Sequence, residues 1–224
     1  MRAARPALAL RDAALALLPT AVRRLLAHEL RAAHSLGLWI IRRRHGVSTG
    51  AQASAYTGPQ TPMMYGFIFV SVVETVALAV LIPWPLVHAI TLFIDVYGVL
   101  LMVAMHAACV TRPHVVGADG SLRIRYGALF DLRIQPQDIV HARVDRRFPD
   151  GRLIQPREDG SLELIVAGQT TVTVQLAAPV GFVRPLGKRG TARTVRFHAD
   201  EPGALVAALT QARTAPSPSP GPPV

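Results

Sequence analysis

The chain has 224 residues and a formal net charge of +10, is half hydrophobic, and is only 17% charged. Its mean hydropathy is +0.32, unusual for a domain whose whole surface must be polar, so composition favours a membrane class and leaves only about a hundred residues for a soluble core. A single cysteine, Cys109, excludes an intramolecular disulfide and a Cys-rich zinc site.

The basic excess is N-terminal: residues 1–62 hold nine arginines against Asp12 and Glu29. Residues 1–45 read as a basic amphipathic helical arm. After Pro19-Thr20, Val22, Leu25, Leu26, Leu30, Ala33, Leu36 and Ile40 recur near helical spacing, with Arg23, Arg24 and Arg31 largely off that stripe. A signal peptide is rejected, because Arg11 and Asp12 interrupt the would-be apolar region. Charged and His residues at 28, 29, 31 and 34 argue against a membrane span. Two readings stay open. The arm lies on an anionic inner leaflet, with Arg23, Arg24, Arg42, Arg43 and Arg44 as lipid contacts, or its apolar stripe packs against the soluble domain or another subunit.

Residues 46–62, rich in Gly, Ser, Thr, Gln and Pro, are expected to be a linker. Residues 63–112 then carry two long apolar runs, Met63–Ile82 and Leu86–Val110, each able to cross a hydrocarbon core of roughly 30 Å. Two central helices of a soluble bundle are the alternative. Pro83-Trp84-Pro85 between the runs stops helix propagation and predicts a tight turn. Arginines at 42–44 and at 112 flank the pair while the turn is uncharged, so both termini are expected in the cytoplasm and the chain in the cytoplasmic (inner) membrane.

Beyond Pro113 the apolar period changes to two. Leu122, Ile124 and Tyr126 alternate with Arg123 and Arg125; Phe130, Leu132 and Ile134 alternate with Asp131 and Arg133. Parity selects a three-residue loop, Gly127 to Leu129, which sets Ile124 opposite Leu132 and Arg125 opposite Asp131. Val140, Ala142 and Val144 continue the pattern. Leu162, Leu164 and Val166 are expected to face Val172, Val174 and Leu176 across a turn at Gly168 to Thr170. Asp200-Glu201-Pro202 opens a closing helix, and residues 214–224 form a Pro/Ser tail expected to be disordered.

The stretch ADGSLRIRYGALFDLRIQPQDIVHARV at 118–144, the short strands around it, the preceding hairpin and the closing helix at 201–213 resemble the bacterial PH-like domains. The resemblance covers about residues 113–213. It implies an α+β membrane protein, a two-helix transmembrane hairpin followed by a small antiparallel β domain with a C-terminal helix, and a scaffold or interaction role rather than catalysis. There is no basic headgroup motif of the kind found in phosphoinositide-binding PH domains, and that ligand is not carried over.

Within the runs, Glu74 and Asp95 lie about 12 and 13 Å from the turn by helical rise, near the midplane. Two carboxyls at equal depth in low dielectric cannot both ionise cheaply, so at least one is expected to be protonated and hydrogen-bonded to the other or to a neighbour; the readings are a structural clasp, proton or cation handling, or no role at all if the helical faces are misassigned. His88 and His106 fall on the same helical direction as Asp95, a stripe expected to face protein. They cannot share one metal ion, being about 27 Å apart along a helix. Neither a phosphate loop, a GxSxG elbow, an HExxH helix nor a CxxC pair occurs. Arginines from 123 to 157 interleave with acids, the pattern of a mixed surface rather than of a nucleic-acid face.

The sequence thus predicts a non-enzymatic membrane protein without cofactor or metal. Its expected partners are the bilayer with its anionic inner-leaflet lipids, an unidentified protein and, as a candidate, a second copy of the chain. A small oligomeric transporter or proton-linked element built on Glu74 and Asp95 is the alternative.

Overall fold

The computed structural model describes residues 30, 31 and 33–214. The expectations for Arg23, Arg24 and most of the arm, and for the Pro/Ser tail beyond residue 214, lie outside these residues.

Helical residues 33–40 (α1) end in a left-handed residue, Arg42 at φ 55. The Arg43 amide reaches back to the Leu38 carbonyl at 2.8 Å, so the last turn's carbonyls are partly satisfied by the chain that leaves it. The expected linker is only partly free. Gln52–Ser54 (β1) pairs antiparallel with His114–Val116 (β2), adding an edge strand to the following domain.

The two apolar runs form Thr61–Leu81 (α2) and Pro85–Thr111 (α3). Both are long and apolar enough to cross a membrane, and none of either apolar window is buried within the chain. Pro83 and Pro85 bracket the turn as their missing amides require, Pro85 opening α3 where no helical donor is needed. The helices meet along a seam with heptad spacing. On α2 the partly covered positions include 61, 64, 68, 71, 75 and 78, continued by Ile82 just past the helix; on α3 they include 88, 91, 95, 98 and 102. The last turns of α3 are different: His106, Ala107, Ala108, Cys109 and Thr111 are buried, with Cys109 in one cluster with Tyr56, Val166 and Tyr126.

That domain has two sheets around one core. The first has the order β1-β2-β3-β4, with β3 Leu122–Tyr126 and β4 Phe130–Ile134. The β3–β4 register is the one parity demands: Ile124 opposes Leu132, Arg125 opposes Asp131 and Tyr126 opposes Phe130. The second sheet contains β5 Ile139–Arg147, β6 Ile154–Pro156, β7 Ser161–Leu164, β8 Thr170–Val183 and β9 Arg189–Phe197, in the order β5-β8-β9-β7-β6. Pro202–Thr214 (α4) closes the core with Leu205 and Leu209, both fully buried.

Two expectations about this sheet are corrected. The turn after Val166 falls at Ala167-Gly168, both at positive φ, rather than at Gly168 to Thr170, and Val166 and Gln169 exchange backbone hydrogen bonds. The strands either side of it do not pair, because β9 lies between them, parallel to β7 and antiparallel to β8. In β5 a register shift between Ile139 and His141 leaves Val140 outward, while Ala142 packs against the core; Val144 follows in register opposite Val172 yet is 52% exposed at the sheet edge.

Candidate functional site

Two polar constellations stand out, one in the helical seam and one where the hairpin meets the sheets.

In the seam, side chains of Thr75, His88, Thr91 and Asp95 surround a narrow gap with no water-sized space. His88 and Asp95 therefore do turn toward protein. His106, the third member of their stripe, is buried at the other end of α3 against Tyr65 and Trp39, with ring centroids at 5.1 and 6.2 Å. Glu74 sits elsewhere. It is one position off the seam, on the exposed face of α2, and Thr75 takes the place opposite α3. Neighbouring residues share a height along the helix, but one residue is 100° of helical rotation. Among the described residues no hydrogen bond or ion pair links Glu74 to Asp95. Asp95 Oδ2 is buried and has no hydrogen-bond partner.

This geometry changes what substitutions should do. An unpaired polar group away from water destabilises by about 1 to 3 kcal/mol, so Asp95→Leu should raise the thermal midpoint measured in one detergent. Glu74→Leu should leave it nearly unchanged, and the two effects should add within about 0.5 kcal/mol. A coupling larger than that would restore a direct contact between the carboxyls.

The junction is a buried network that strand alternation does not reveal. Arg125 lies on the face of β3 predicted to be outward, yet it is 1% exposed. Its Nε donates to the Pro113 carbonyl at 2.8 Å, and one terminal nitrogen donates to the His45 carbonyl at 2.9 Å. The other terminal nitrogen is buried without a partner. Asp131, opposite in register, bonds instead to Arg123 on the diagonal, with Nε to Oδ1 at 2.8 Å. Burial, and after it the charge of Arg123, draws the Arg125 guanidinium down to about 10, so it stays charged at neutral pH.

His114 is the hub. The Arg125 amide donates to its Nδ1 at 3.0 Å, which puts the ring proton on Nε2, 2.9 Å from the His198 carbonyl. Complete burial pushes its pKa down to about 3, so the ring is neutral across the physiological range. Tyr56 from the expected linker is fully buried and stacks on His114 at a centroid distance of 4.6 Å, while its hydroxyl accepts from the Gly127 amide at 2.7 Å. Burial raises the Tyr56 phenol well above its ordinary value. Tyr126 donates to Gln60 at 3.1 Å, and the Gly58 amide donates to both carboxylate oxygens of Asp200, each at 3.1 Å.

Residues 45–60 are thus tied to α3, to β2 and β3, and to the corner before α4. Chemically the arrangement fixes rather than activates: its histidine is neutral and its phenol protonated. Among the described residues no group of three or more His, Cys, Asp or Glu could hold a metal ion. The network escapes local sequence reading because the cover over Arg125 comes from His45, 80 residues upstream.

Elsewhere on the sheets the arginines meet the acids interleaved with them. Asp145 is shared by Arg143 and Arg147, and Glu163, 6% exposed in its side chain, lies between Arg157 and Arg196. Arg42, Arg43 and Arg44 are exposed and border a shallow cavity at the end of α3, beside Val110 and Thr111. Comparison of the chain with family models, with characterised proteins and with solved structures finds no match.

Proposed function

We propose that the chain is a non-enzymatic platform of the cytoplasmic membrane: a two-span hairpin that holds a PH-like interaction domain rigidly against the inner leaflet. The observation that carries this reading is the buried junction. A flexible tether would need only a loop, whereas here Cys109 of α3 shares a buried cluster with Tyr56 and Tyr126, the His45 amide donates to the Thr111 carbonyl at 2.8 Å, and Arg125 holds the Pro113 carbonyl just beyond the helix. The outward apolar surfaces of both helices favour lipid as their surroundings. The basic residues at the open end and the uncharged turn favour a cytoplasmic domain. Two sheets and a closing helix agree with the PH-like resemblance, while the parallel β7–β9 pair departs from the antiparallel pattern it implies.

The surface offered to a protein partner is the outer edge of the second sheet. β5 ends that sheet and exposes Val140 and Val144 at 57 and 52%, with Phe148 just beyond the strand exposed at 74%. An unpaired edge strand with exposed apolar side chains suits the addition of an extended segment from another protein. A photo-crosslinking residue at Val144 should give a discrete protein adduct in cells, and one at the exposed Gln137 should not.

The second reading, a proton-linked element, draws on the unpartnered Asp95 oxygen. Proton flux through reconstituted vesicles that disappears with Asp95→Asn would establish it and overturn the platform.

A further inference from the structure

Four arginines from four separate elements converge where α3 leaves its apolar stretch. Arg112 caps α3, Arg31 belongs to the arm, Arg123 to β3, and Arg184 to the tip of the β8–β9 hairpin. With the Gly127–Leu129 loop as floor they line an open cleft of about 610 Å³. The one acid in its wall, Asp131, is already engaged by Arg123. Arg112 donates from Nε to Ser35 Oγ at 3.1 Å, which orients its guanidinium. Among the described residues Arg31, Arg112 and Arg184 have no carboxylate partner. Arg112 is held below its ordinary basicity first by burial and next by the charge of Arg31. Like charges gathered this closely call for a counter-anion.

The shape and the setting narrow its chemistry. Guanidinium groups facing one space from several sides match the oxygens of a phosphoryl group, and the cleft has room for more than the phosphate alone. Arg112 directly follows the last residue of the apolar helix. The neighbouring hairpin tip carries Leu186, 82% exposed, between Arg184 and Lys188. An apolar tip flanked by bases is suited to the boundary between headgroups and acyl chains.

We propose that this cleft binds a phosphoryl anion, supplied by the headgroup of an anionic phospholipid in the leaflet that Arg112 borders. The inference rests on the membrane reading above, and names a ligand for it. Its arginines are not the Arg23, Arg24, Arg42, Arg43 and Arg44 expected from the sequence as lipid contacts.

The test uses the full chain in a neutral detergent, with its thermal midpoint followed as phosphatidylglycerol, phosphatidylcholine or inorganic phosphate is added. Phosphatidylglycerol should stabilise the wild type and an Arg152→Gln control, Arg152 being exposed and outside the cleft. Arg31→Gln combined with Arg184→Gln should weaken that response about tenfold or more. Leu186→Gln should weaken the response to the lipid, and phosphatidylcholine should give none. Absence of a response to phosphatidylglycerol, or an equal response in the double variant, overturns the site. Inorganic phosphate reproducing the whole effect would make the ligand a free phosphate and overturn the lipid source. Failure of the membrane reading is a separate outcome on the same sample, a chain that stays monodisperse once detergent is removed.

Discussion

Replacing Tyr56 with alanine is expected to destabilise the β domain by about 3 to 5 kcal/mol, the range for deleting a buried aromatic side chain. The ring is fully buried between His114 and Tyr126, at centroid distances of 4.6 and 5.7 Å. Its loss would open a cavity and also leave the Gly127 amide without its acceptor. Tyr56→Phe separates the two contributions. It keeps the ring and removes only the acceptor, which should cost about 1 to 3 kcal/mol. Thermal unfolding in one detergent, followed by the far-ultraviolet signal of the strands, measures both. A loss below about 1 kcal/mol for Tyr56→Ala would mean that residues 46–62 are the loose linker the composition suggests, and not part of the domain.

Gly127→Val should be comparably damaging, by about 3 kcal/mol, for reasons that can be taken apart. Gly127 has φ 47, a left-handed conformation that opposes any side chain by about 1 to 2 kcal/mol and a β-branched one by more. A Cβ there would also lie 3.2 Å from Cys109 Sγ and 3.5 Å from Ala108 Cβ, where the β3–β4 loop rests on α3. Filling that contact adds an overpacking cost of about 1 to 3 kcal/mol. The milder Gly127→Ala isolates the contact, because Cys109→Ala should recover part of its loss by withdrawing the sulfur while leaving the backbone strain. If Gly127→Ala is as stable as the wild type, or if Cys109→Ala recovers nothing, the loop does not bear on the helix as described.

The parts of the fold legible in the sequence are those specified by neighbours. Pro83 and Pro85 announce the helical turn, and the alternation of Leu122 to Ile134 leaves only one loop length that keeps both apolar faces together. The β7–β8 region fails for the complementary reason. Its two alternating runs do form strands and a turn does follow Val166, one residue earlier than the expected Gly168 to Thr170, but the pairing is taken by β9, some thirty residues later in the chain. In the seam, height along a helix follows from counting, whereas direction does not. Ser71 and Thr75 share the heptad spacing that Glu74 breaks, and following those small polar residues alongside His88, Thr91 and Asp95 would have found the face. Arg125 had no such signal. Nothing near it distinguishes a solvated arginine from one covered by His45 and Pro113.

The account as a whole depends on one arrangement: the Ile82–Trp84 turn on one side of a bilayer, and the β domain with its basic cleft on the other. Cysteine-accessibility labelling in intact cells tests it directly, in a Cys109→Ala background with a single cysteine placed at Trp84 or at Leu186, both exposed in the fold. The account predicts that an impermeant reagent marks the Trp84 position from outside and the Leu186 position only after permeabilisation. Labelling of the Leu186 position in intact cells, or of neither until the membrane is opened, would contradict it.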